Sequence, residues 1–522
     1  MHVMDRVVLS NANMSIASLR GSFFTAFALA LVVALASLVA CSPSFRAKTC
    51  KGDDECGSDL VCAQRSAPSQ STCVAGTDDP IRIGMSAPLT GPSQELGTEM
   101  KKGITLAFAA QNALGGVRGR TIELDLRDDQ YQPQSAENAA RDLLDVARAS
   151  SPARCPSTTS AAVAGDQPVS SSALVRGPNA VIALVGSVGT PTMVRSAPIA
   201  VETGSLFFGA FTGAAKVLRD DLSGGCRKYI FNVRASYAQE ARATVEYFRK
   251  LRVPDARHLA SFDQNDSFGQ SGYDGLVAAV TAIDGAPTTP VARFRYTRDD
   301  QTSVPAQVQA AAAYLAKLLT EPGLHVVGFL MTDTYGPATS FIRGVRDWQY
   351  AEDNEQIATS KAKRLTLHFS NLSFVGPNSL AARLKDAGTV STPDGPRPYT
   401  SGVYVSQVVP NYHSDNSDGV RDYLRALREA DLAPSFTSLE GYLAGRIFAA
   451  GLAAHTGPFT PDALVATFER LPPLNLGLGA TAGFSPTRHD YSKSVFGTAI
   501  EQDGGFGNSY FWSEGSAIQL FE

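Results

Sequence analysis

The chain has 522 residues, of which 46 are Lys or Arg and 50 are Asp or Glu, giving a formal net charge of −4. This length is too great for one compact core and predicts two sizeable α/β domains with additional segments. The slightly acidic balance lacks the basic footprint of a nucleic-acid-binding protein and argues against a DNA or RNA partner.

The N-terminus carries the pattern of an export signal. Two arginines precede an apolar run over 23–40, as in the charged and apolar regions of a secretory signal. An uncleaved membrane helix is the alternative, because the run approaches the ~20 residues that span a bilayer. The run ends in Leu-Val-Ala-Cys at 38–41, which resembles a lipobox. We therefore predict a lipoprotein signal peptide over 1–40 and a lipid on Cys41 that anchors the protein to a membrane surface.

Four cysteines lie in a short polar segment that follows. They are Cys50, Cys56, Cys62 and Cys73. A segment with almost no apolar residues cannot hold a shape by burial, and export permits disulfides, so two bridges in one of three pairings are expected. Zinc is the alternative, although the cysteines do not form Cys-x-x-Cys pairs. We interpret residues 41–79 as a lipid-proximal spacer or a partner-binding module. Cys155 and Cys226 are candidates for a third bridge.

From residue 81 the sequence alternates between strand and helix patterns. A strand is predicted at 81–86, an amphipathic helix at 96–112, a second strand at 121–126 and a second helix at 135–147. This order predicts parallel sheets with helices on both faces.

The Ser-, Ala- and Pro-rich stretch 150–177 is predicted to be a surface loop. The apolar run at 180–185 is typical of a strand buried on both faces. Further strands are predicted at 205–208, 229–233, 258–262, 292–296, 326–330, 365–368 and 402–405. This number of strands favours two doubly wound lobes over a single sheet.

Ordered motifs over about 80–515 resemble the leucine/isoleucine/valine-binding protein family. The longest is Ile-Arg-Ile-Gly-Met-Ser-Ala-Pro-Leu-Thr-Gly-Pro at 81–92. Others lie at 112–120, 128–131, 185–191, 211–214, 265–269, 373–376 and 438–442. The family has the type I periplasmic binding protein fold and supplies solute receptors to ATP-binding-cassette importers.

The resemblance implies two α/β lobes joined by three hinge crossings, preceded here by the disulfide-stapled segment. The crossings are expected near Ala235, Val408 and Phe496. Lobe I would comprise 80–235 and 408–495, and lobe II would comprise 236–407 and 496–522.

Ligand contacts in lobe I are expected where helices start after buried strands. Thr190 is a favourable N-cap and Pro191 suits a first helical turn. Phe211 and Thr212 follow the next strand, where a similar helix start is expected. Two helix N-termini at the carboxyl edge of a parallel sheet favour an anionic group, and in the family this edge holds the ligand carboxylate.

The resemblance places further ligand contacts on the facing lobe. Tyr237, Phe268 and Tyr335 are the aromatic candidates, and Gln407 is a polar candidate at the second crossing. Ser373 stands where branched-chain amino-acid binders carry the carboxylate for the ligand ammonium. Because Ser373 is not acidic, a free α-amino acid is in doubt as the ligand, unless Asp333 or Glu440 supplies the negative charge.

We therefore expect a lipid-anchored solute-binding protein of the periplasm or cell envelope. It would capture an amino-acid-like or carboxylate ligand and deliver it to the membrane permease of an ATP-binding-cassette importer. A receptor that senses a ligand and signals to a membrane partner is the alternative. The sequence lacks nucleophile-elbow, Walker and His-Glu-x-x-His motifs, so an exported hydrolase is disfavoured. We expect neither a metal nor a cofactor.

Overall fold

The computed structural model describes residues 60–64, 71–75, 79–152, 172–214, 218, 227–250, 258–285, 287, 290–351 and 364–521. The predicted signal peptide lies outside these residues, as do five cysteines. They are Cys41, Cys50, Cys56, Cys155 and Cys226. Within the described part of the chain, no helix is both long enough and apolar enough to cross a membrane.

The strands are β1 (Leu60–Gln64), β2 (Ser71–Ala75), β3 (Ile81–Ala87), β4 (Ile122–Asp128), β5 (Ala147–Pro152), β6 (Ser172–Val175), β7 (Ala183–Val185), β8 (Leu206–Phe208), β9 (Ile230–Phe231), β10 (His258–Gln264), β11 (Ala292–Tyr296), β12 (His325–Thr332), β13 (Leu365–Asn371), β14 (Thr389–Val390), β15 (Arg397–Pro398), β16 (Val403–Gln407), β17 (Ser494–Ile500), β18 (Phe506–Ser513) and β19 (Gln519–Leu520).

The helices are α1 (Gln94–Ala113), α2 (Pro133–Leu143), α3 (Thr190–Glu202), α4 (Tyr237–Lys250), α5 (Ser267–Asp284), α6 (Val304–Leu318), α7 (Tyr335–Tyr350), α8 (Pro377–Ala387), α9 (Asp418–Glu429), α10 (Phe436–Ala454) and α11 (Pro461–Phe468).

A five-stranded parallel sheet in the order β4-β3-β7-β8-β9 forms the centre of what we call the first lobe. Neighbouring residues of its strands point to opposite faces. Val185 and Phe208 pack on the side of α1 and α10, whereas Leu184 and Phe207 pack on the side of α2 and α3. Because helices cover both faces, β7, β8 and β9 are apolar throughout. The edge strand β4 carries charged residues.

Two glycines allow α1 and α10 to cross closely on this sheet. A Cβ atom at Gly103 would lie 1.9 Å from the carbonyl oxygen of Ser438, and one at Gly441 would lie 2.4 Å from that of Met100. Any larger residue would therefore push the two backbones apart.

An eight-stranded mixed sheet in the order β11-β10-β12-β13-β16-β17-β18-β19 forms the second lobe. Its strands are parallel from β11 to β16 and antiparallel from β16 to β19. Helices α6 and α7 cover one face, where Phe262 stacks on Phe341 with ring centroids 3.9 Å apart. Helices α4 and α5 pack against each other on the opposite face.

The chain passes between the lobes after β9, after β16 and before β17. Helices α9 and α10 return to pack on α1 of the first lobe, and β16 and β17 pair in the second. The predicted crossings at Ala235, Val408 and Phe496 lie in or beside these segments. Their action as hinges and the exact lobe boundaries stay predictions.

Two local predictions are wrong. The predicted helix 135–147 ends at Leu143, because Asp145 adopts φ +48 and its carboxylate accepts the Asn179 amide at 3.0 Å. The predicted loop 150–177 begins and ends in strands, since β5 and β6 pair antiparallel. Leu174 explains this pairing, because it is buried on the α2 and α3 face of the first lobe.

Near the start of the described residues, β1 and β2 form an antiparallel pair. Their register places Cys62 opposite Cys73.

Candidate ligand-binding site

The carboxyl ends of the parallel strands of the two lobes face each other. Phe211 follows β8 and stacks on Phe374, which follows β13, with ring centroids 4.9 Å apart. Gln264 at the end of β10 donates its amide to the hydroxyl of Tyr131, which follows β4, at 3.4 Å. Ligands of open α/β sheets bind at this edge. The buried region between the two edges is the candidate site, and we call it the cleft.

The structure brings two predicted ligand residues into direct contact. The Thr190 and Thr212 hydroxyls lie 2.7 Å apart, and both residues are fully buried. The prediction that Thr190 caps its helix is wrong, because Gly189 holds the N-cap position and Thr190 is already the first residue of α3. Its hydroxyl bonds to Thr212 instead. Pro191 lies in the first turn, as expected.

The chain is not yet helical at Thr212, whose hydroxyl accepts the Ala214 amide at 3.3 Å. Residues 209–214 are not helical. The carbonyl oxygen of Gly213 accepts the Tyr237 amide at 2.9 Å, which fixes this segment against the start of α4. Among the described residues, the N-terminus of α3 is the predicted helix start that lies at this edge, and it favours an anionic group.

Four aromatic rings fill the middle of the cleft, and we call them the aromatic layer. They are Phe211, Phe374, Phe268 and Tyr237. Phe374 lies 4.7 Å from Phe268, which lies 5.4 Å from Tyr237, measured between ring centroids. Three of these residues were predicted. Phe374 was not, although it follows the predicted Ser373 directly.

The hydroxyl of Tyr237 links the aromatic layer to the threonine pair. Burial raises the pKa of Tyr237, while Arg234 and the hydroxyls of Thr212 and Thr190 lower it. The phenol is therefore neutral and can donate to, or accept from, a polar group beside the two threonines.

A buried arginine that the sequence analysis missed lies beside this layer. Arg234 is 1% exposed, and its guanidinium lies 5.1 Å from the centroid of the Phe211 ring. It pairs with Glu240 of the second lobe at 3.0 Å and with Glu440 of the first lobe at 3.4 Å. Burial lowers the pKa of Arg234, but Glu440 and Glu240 outweigh this effect and raise it. The arginine therefore stays charged and joins the lobes.

Ser373 forms hydrogen bonds with the same charged residues. Arg234 donates to the Ser373 hydroxyl, and the Ser373 amide donates to Glu240 at 2.8 Å. Ser406 also donates to Glu240, at 2.7 Å. At Ser373, where the resemblance predicts the subsite for the ligand ammonium, this chain therefore holds its own guanidinium.

Besides the hydroxyls of Tyr237 and Thr332 and the side-chain amide oxygen of Asn371, two further buried groups on the facing edges have no hydrogen-bond partner among the described residues. On the first lobe this is the hydroxyl of Ser187, within the predicted motif at 185–191. On the second lobe it is the carboxylate of Asp333, directly after β12 and 1% exposed. Burial raises the pKa of Asp333 well above its usual range, and nearby Asp263 adds to this effect.

A third buried acid shapes the loop that carries Tyr131. Asp129 accepts the Ser86 hydroxyl at 2.6 Å and the Tyr131 amide at 2.9 Å. Burial raises the pKa of Asp129 to about 7. Gln130 and Tyr131 both have positive φ angles, 53° and 62°, which non-glycine residues rarely adopt. The Asp129 side chain therefore holds a strained loop in place.

Tyr335 closes the rim of the cleft rather than its centre. Its hydroxyl donates to the carbonyl oxygen of Pro92 in the first lobe at 2.6 Å, and Arg383 lies 5.0 Å from its ring centroid. A cavity of about 450 Å³ opens beside it between α1 and α8. Gln407 is not brought to the cleft residues, since its amide donates to Thr498 of the neighbouring strand at 3.2 Å.

Two lobes that close over a buried polar and aromatic site define a two-lobed α/β binding fold. A family model described as "Periplasmic binding protein" matches residues 80–167 and 173–505. The chain belongs to the periplasmic binding protein family, and the resemblance to the leucine/isoleucine/valine-binding type is confirmed.

Individual relatives agree with this assignment. A Leu/Ile/Val-binding protein homolog from Brucella melitensis is 38% identical over 64 residues, which is 12% of this chain and 17% of that relative. A structure titled as a possible leucine/isoleucine/valine-binding protein from Rhodopirellula baltica is 28% identical. The match covers 83% of this chain and 97% of the chain in that structure, with a TM-score of 0.64.

A branched chain amino acid ABC transporter protein from Thermus thermophilus with bound valine shares the fold at 14% identity. The match covers 84% of this chain and 97% of the chain in that structure, with a TM-score of 0.59.

Proposed function

We propose that this protein is an extracytoplasmic solute-binding protein that captures a small amino-acid-like or carboxylate ligand between its lobes. It delivers that ligand to the permease of an ATP-binding-cassette importer, and it has no catalytic role. The observation that carries the proposal is the contact of the Thr190 and Thr212 hydroxyls at the start of α3, beside aromatic rings from both lobes. The family and the valine-bound relative support this ligand class.

The two ends of the cleft suit the two ends of such a ligand. The hydroxyls of Thr190 and Thr212 and the first amides of α3 provide donors for a carboxylate. The aromatic layer provides an apolar wall for the rest of the ligand. Because ligand contacts come from both lobes, binding favours the closed arrangement.

A thermal-shift panel with calorimetry tests the proposal. The purified protein is titrated with amino acids, amides, urea and aromatic acids. A ligand at about 100 Kd adds roughly 2.7 kcal/mol to the unfolding free energy, so a binding compound raises the melting temperature clearly. If no amino acid or carboxylate raises it, the proposed ligand class is wrong.

We also propose that a lipid on Cys41 holds the protein at the membrane surface. A single diacylated cysteine anchors a protein without a spanning helix. The variant Cys41→Ser is expected to give an unprocessed precursor or a soluble product in cell fractionation. Normal processing together with unchanged membrane retention would contradict this proposal.

For the cysteine-containing segment we propose a bridge between Cys62 and Cys73, which leaves Cys50 and Cys56 as the second pair. The proposal is supported by the strand register that sets Cys62 opposite Cys73, since an isolated two-stranded hairpin is marginally stable. Peptide mapping of protein from the cell envelope, alkylated without reduction, is expected to recover both pairs. Four freely alkylated thiols would contradict it.

A further inference from the structure

We infer that the cleft selects a ligand with a positively charged group, and that Asp333 receives this group. The group would be an ammonium, amidinium or guanidinium. This inference rests on the proposed function and narrows its ligand class.

The position of Asp333 places it at the meeting edge of the lobes. It follows β12, and the strands on either side of β12 are β10 and β13. The loop after β10 reaches the first lobe through Gln264 and Tyr131, and the loop after β13 reaches it through Phe374 and Phe211. Asp333 therefore lies in the middle one of three adjacent loops that face the first lobe.

The immediate surroundings of Asp333 connect it with the cleft. Burial raises the pKa of Tyr296, and a negative charge on the nearby Asp333 adds to this effect. The Tyr296 hydroxyl donates to Gln264 at 3.0 Å and accepts the Thr334 amide at 3.3 Å. Gln264 in turn donates to Tyr131 of the first lobe. Two hydrogen bonds thus lead from the phenol beside Asp333 to the opposite lobe.

Asp333 differs from the other buried acids at this edge of the second lobe, which each pair with an arginine. Asp263 pairs with Arg293 at 2.7 Å and Asp266 pairs with Arg298 at 3.1 Å. Neither oxygen of Asp333 has a hydrogen-bond partner among the described residues. A buried carboxylate without a partner is strongly disfavoured, so Asp333 stays neutral in the unliganded protein. A cationic group of the ligand would supply the partner that allows it to ionise.

The sequence left Asp333 and Glu440 as alternative counter-charges for a ligand, and the contacts favour Asp333. Glu440 is paired with Arg234. Ser373, where the family carries its acid, is bonded to Arg234 and Glu240. The cationic group of the ligand is therefore received beside Tyr296 rather than beside Ser373, away from the subsite that the family uses.

Calorimetry with matched pairs of compounds tests this assignment. The pairs are L-lysine with L-norleucine, L-arginine with L-citrulline, and γ-aminobutyrate with butyrate, which differ chiefly in the distal charge. We expect the charged member of at least one pair to bind wild-type protein at least tenfold more tightly. In Asp333→Asn this preference should fall by about 10- to 100-fold, the effect of losing a hydrogen-bonded charge. Asp394→Asn, an exposed acid of the second lobe, is the matched control and should keep the preference.

Two results overturn the inference: equal binding of the members of every pair, or a preference that survives in Asp333→Asn. If no compound of the panel binds, the proposed ligand class is contradicted, and a second measurement is needed to test the role of Asp333. The unliganded melting temperature of Asp333→Asn should equal or exceed that of Asp394→Asn, because a carboxylate without a partner stabilises nothing. A clearly lower value would reveal a partner within the protein and would refute the role of Asp333.

Discussion

Two threonine hydroxyls in contact form the polar end of the cleft. Thr190 belongs to the first turn of α3, whose N-cap is Gly189. The Thr212 hydroxyl accepts the Ala214 amide at 3.3 Å in addition to its contact with Thr190. One of the two hydroxyl protons is used between the threonines. The other proton is left to donate to a ligand carboxylate, which can only accept.

Replacing Thr190 with Val tests the role of this hydroxyl. The variant keeps the side-chain size but removes one hydrogen bond to a charged ligand group, so affinity should fall on the order of 10- to 100-fold. Thr192→Val is the matched control, because the Thr192 hydroxyl bonds to the carbonyl oxygens of Gly189 and Val188. Calorimetry should show near-normal affinity for this control. Equal losses in both variants would mean that Thr190 acts through packing alone.

Asp129 gives the stability of the protein a specific pH dependence. Its pKa is raised to about 7 in the folded protein, against about 3.9 in an unfolded chain. The folded protein therefore favours the protonated form. The stabilisation that the protonated Asp129 provides is fully present below the pKa of the unfolded chain. It is lost as the pH rises through the pKa of Asp129 in the folded protein.

The variant Asp129→Asn should remove this pH dependence while keeping hydrogen bonds to Ser86 and Tyr131. Wild type and variant should have similar unfolding free energies at pH 4. Above pH 7 the variant should be more stable by on the order of 2–4 kcal/mol. Denaturant unfolding from pH 4 to 8 measures the difference. Parallel curves over the whole range would show that Asp129 ionises normally.

At the scale of elements, one buried charge group ties four pieces of the fold together. Arg234 lies between β9 and α4, Glu240 on α4, Glu440 on α10 and Ser406 on β16. This group contacts both lobes at the points where the chain passes between them. It therefore sets the relative position of the lobes as well as their stability.

Truncation of Arg234 to Met should leave two buried glutamates without their shared partner. Breaking a buried ion pair in this way costs about 3–5 kcal/mol, and denaturant unfolding should show a loss of that size. The double variant Arg234→Met with Glu240→Gln should recover part of it, because one uncompensated charge is removed. If the loss of unfolding free energy in the double variant equals the sum of the losses in the two single variants, the broken ion pair is not the cause of the instability.

The strands and helices could be predicted closely from sequence patterns. The contacts that the side chains make in the cleft could not. The alternation at 81–86 and the stripe at 96–112 correspond to β3 and α1 within a few residues. Helix ends are less predictable, since a single aspartate with positive φ ended α2 early. Arg234 and Ser373 are 139 residues apart in sequence, so no local pattern could indicate that they meet.

At the scale of the whole molecule, the cleft is formed by loops from both lobes, and its largest side chains are aromatic. Phe211 comes from the first lobe, while Phe268 and Phe374 come from the second. A rigid body movement of one lobe would separate these rings and expose the two threonines and Asp333 together. Binding and closure are therefore one event, because the full set of contacts exists only when the lobes meet.

Small-angle X-ray scattering with and without the strongest-binding compound of the calorimetric panel tests this account most directly. We predict that the unliganded protein has the larger radius of gyration, and that saturation reduces it as the lobes close over the ligand. The same compound should leave the scattering of Thr190→Val unchanged at a concentration that saturates only wild-type protein. Tight binding to wild-type protein without any change in its scattering would contradict a site between the lobes.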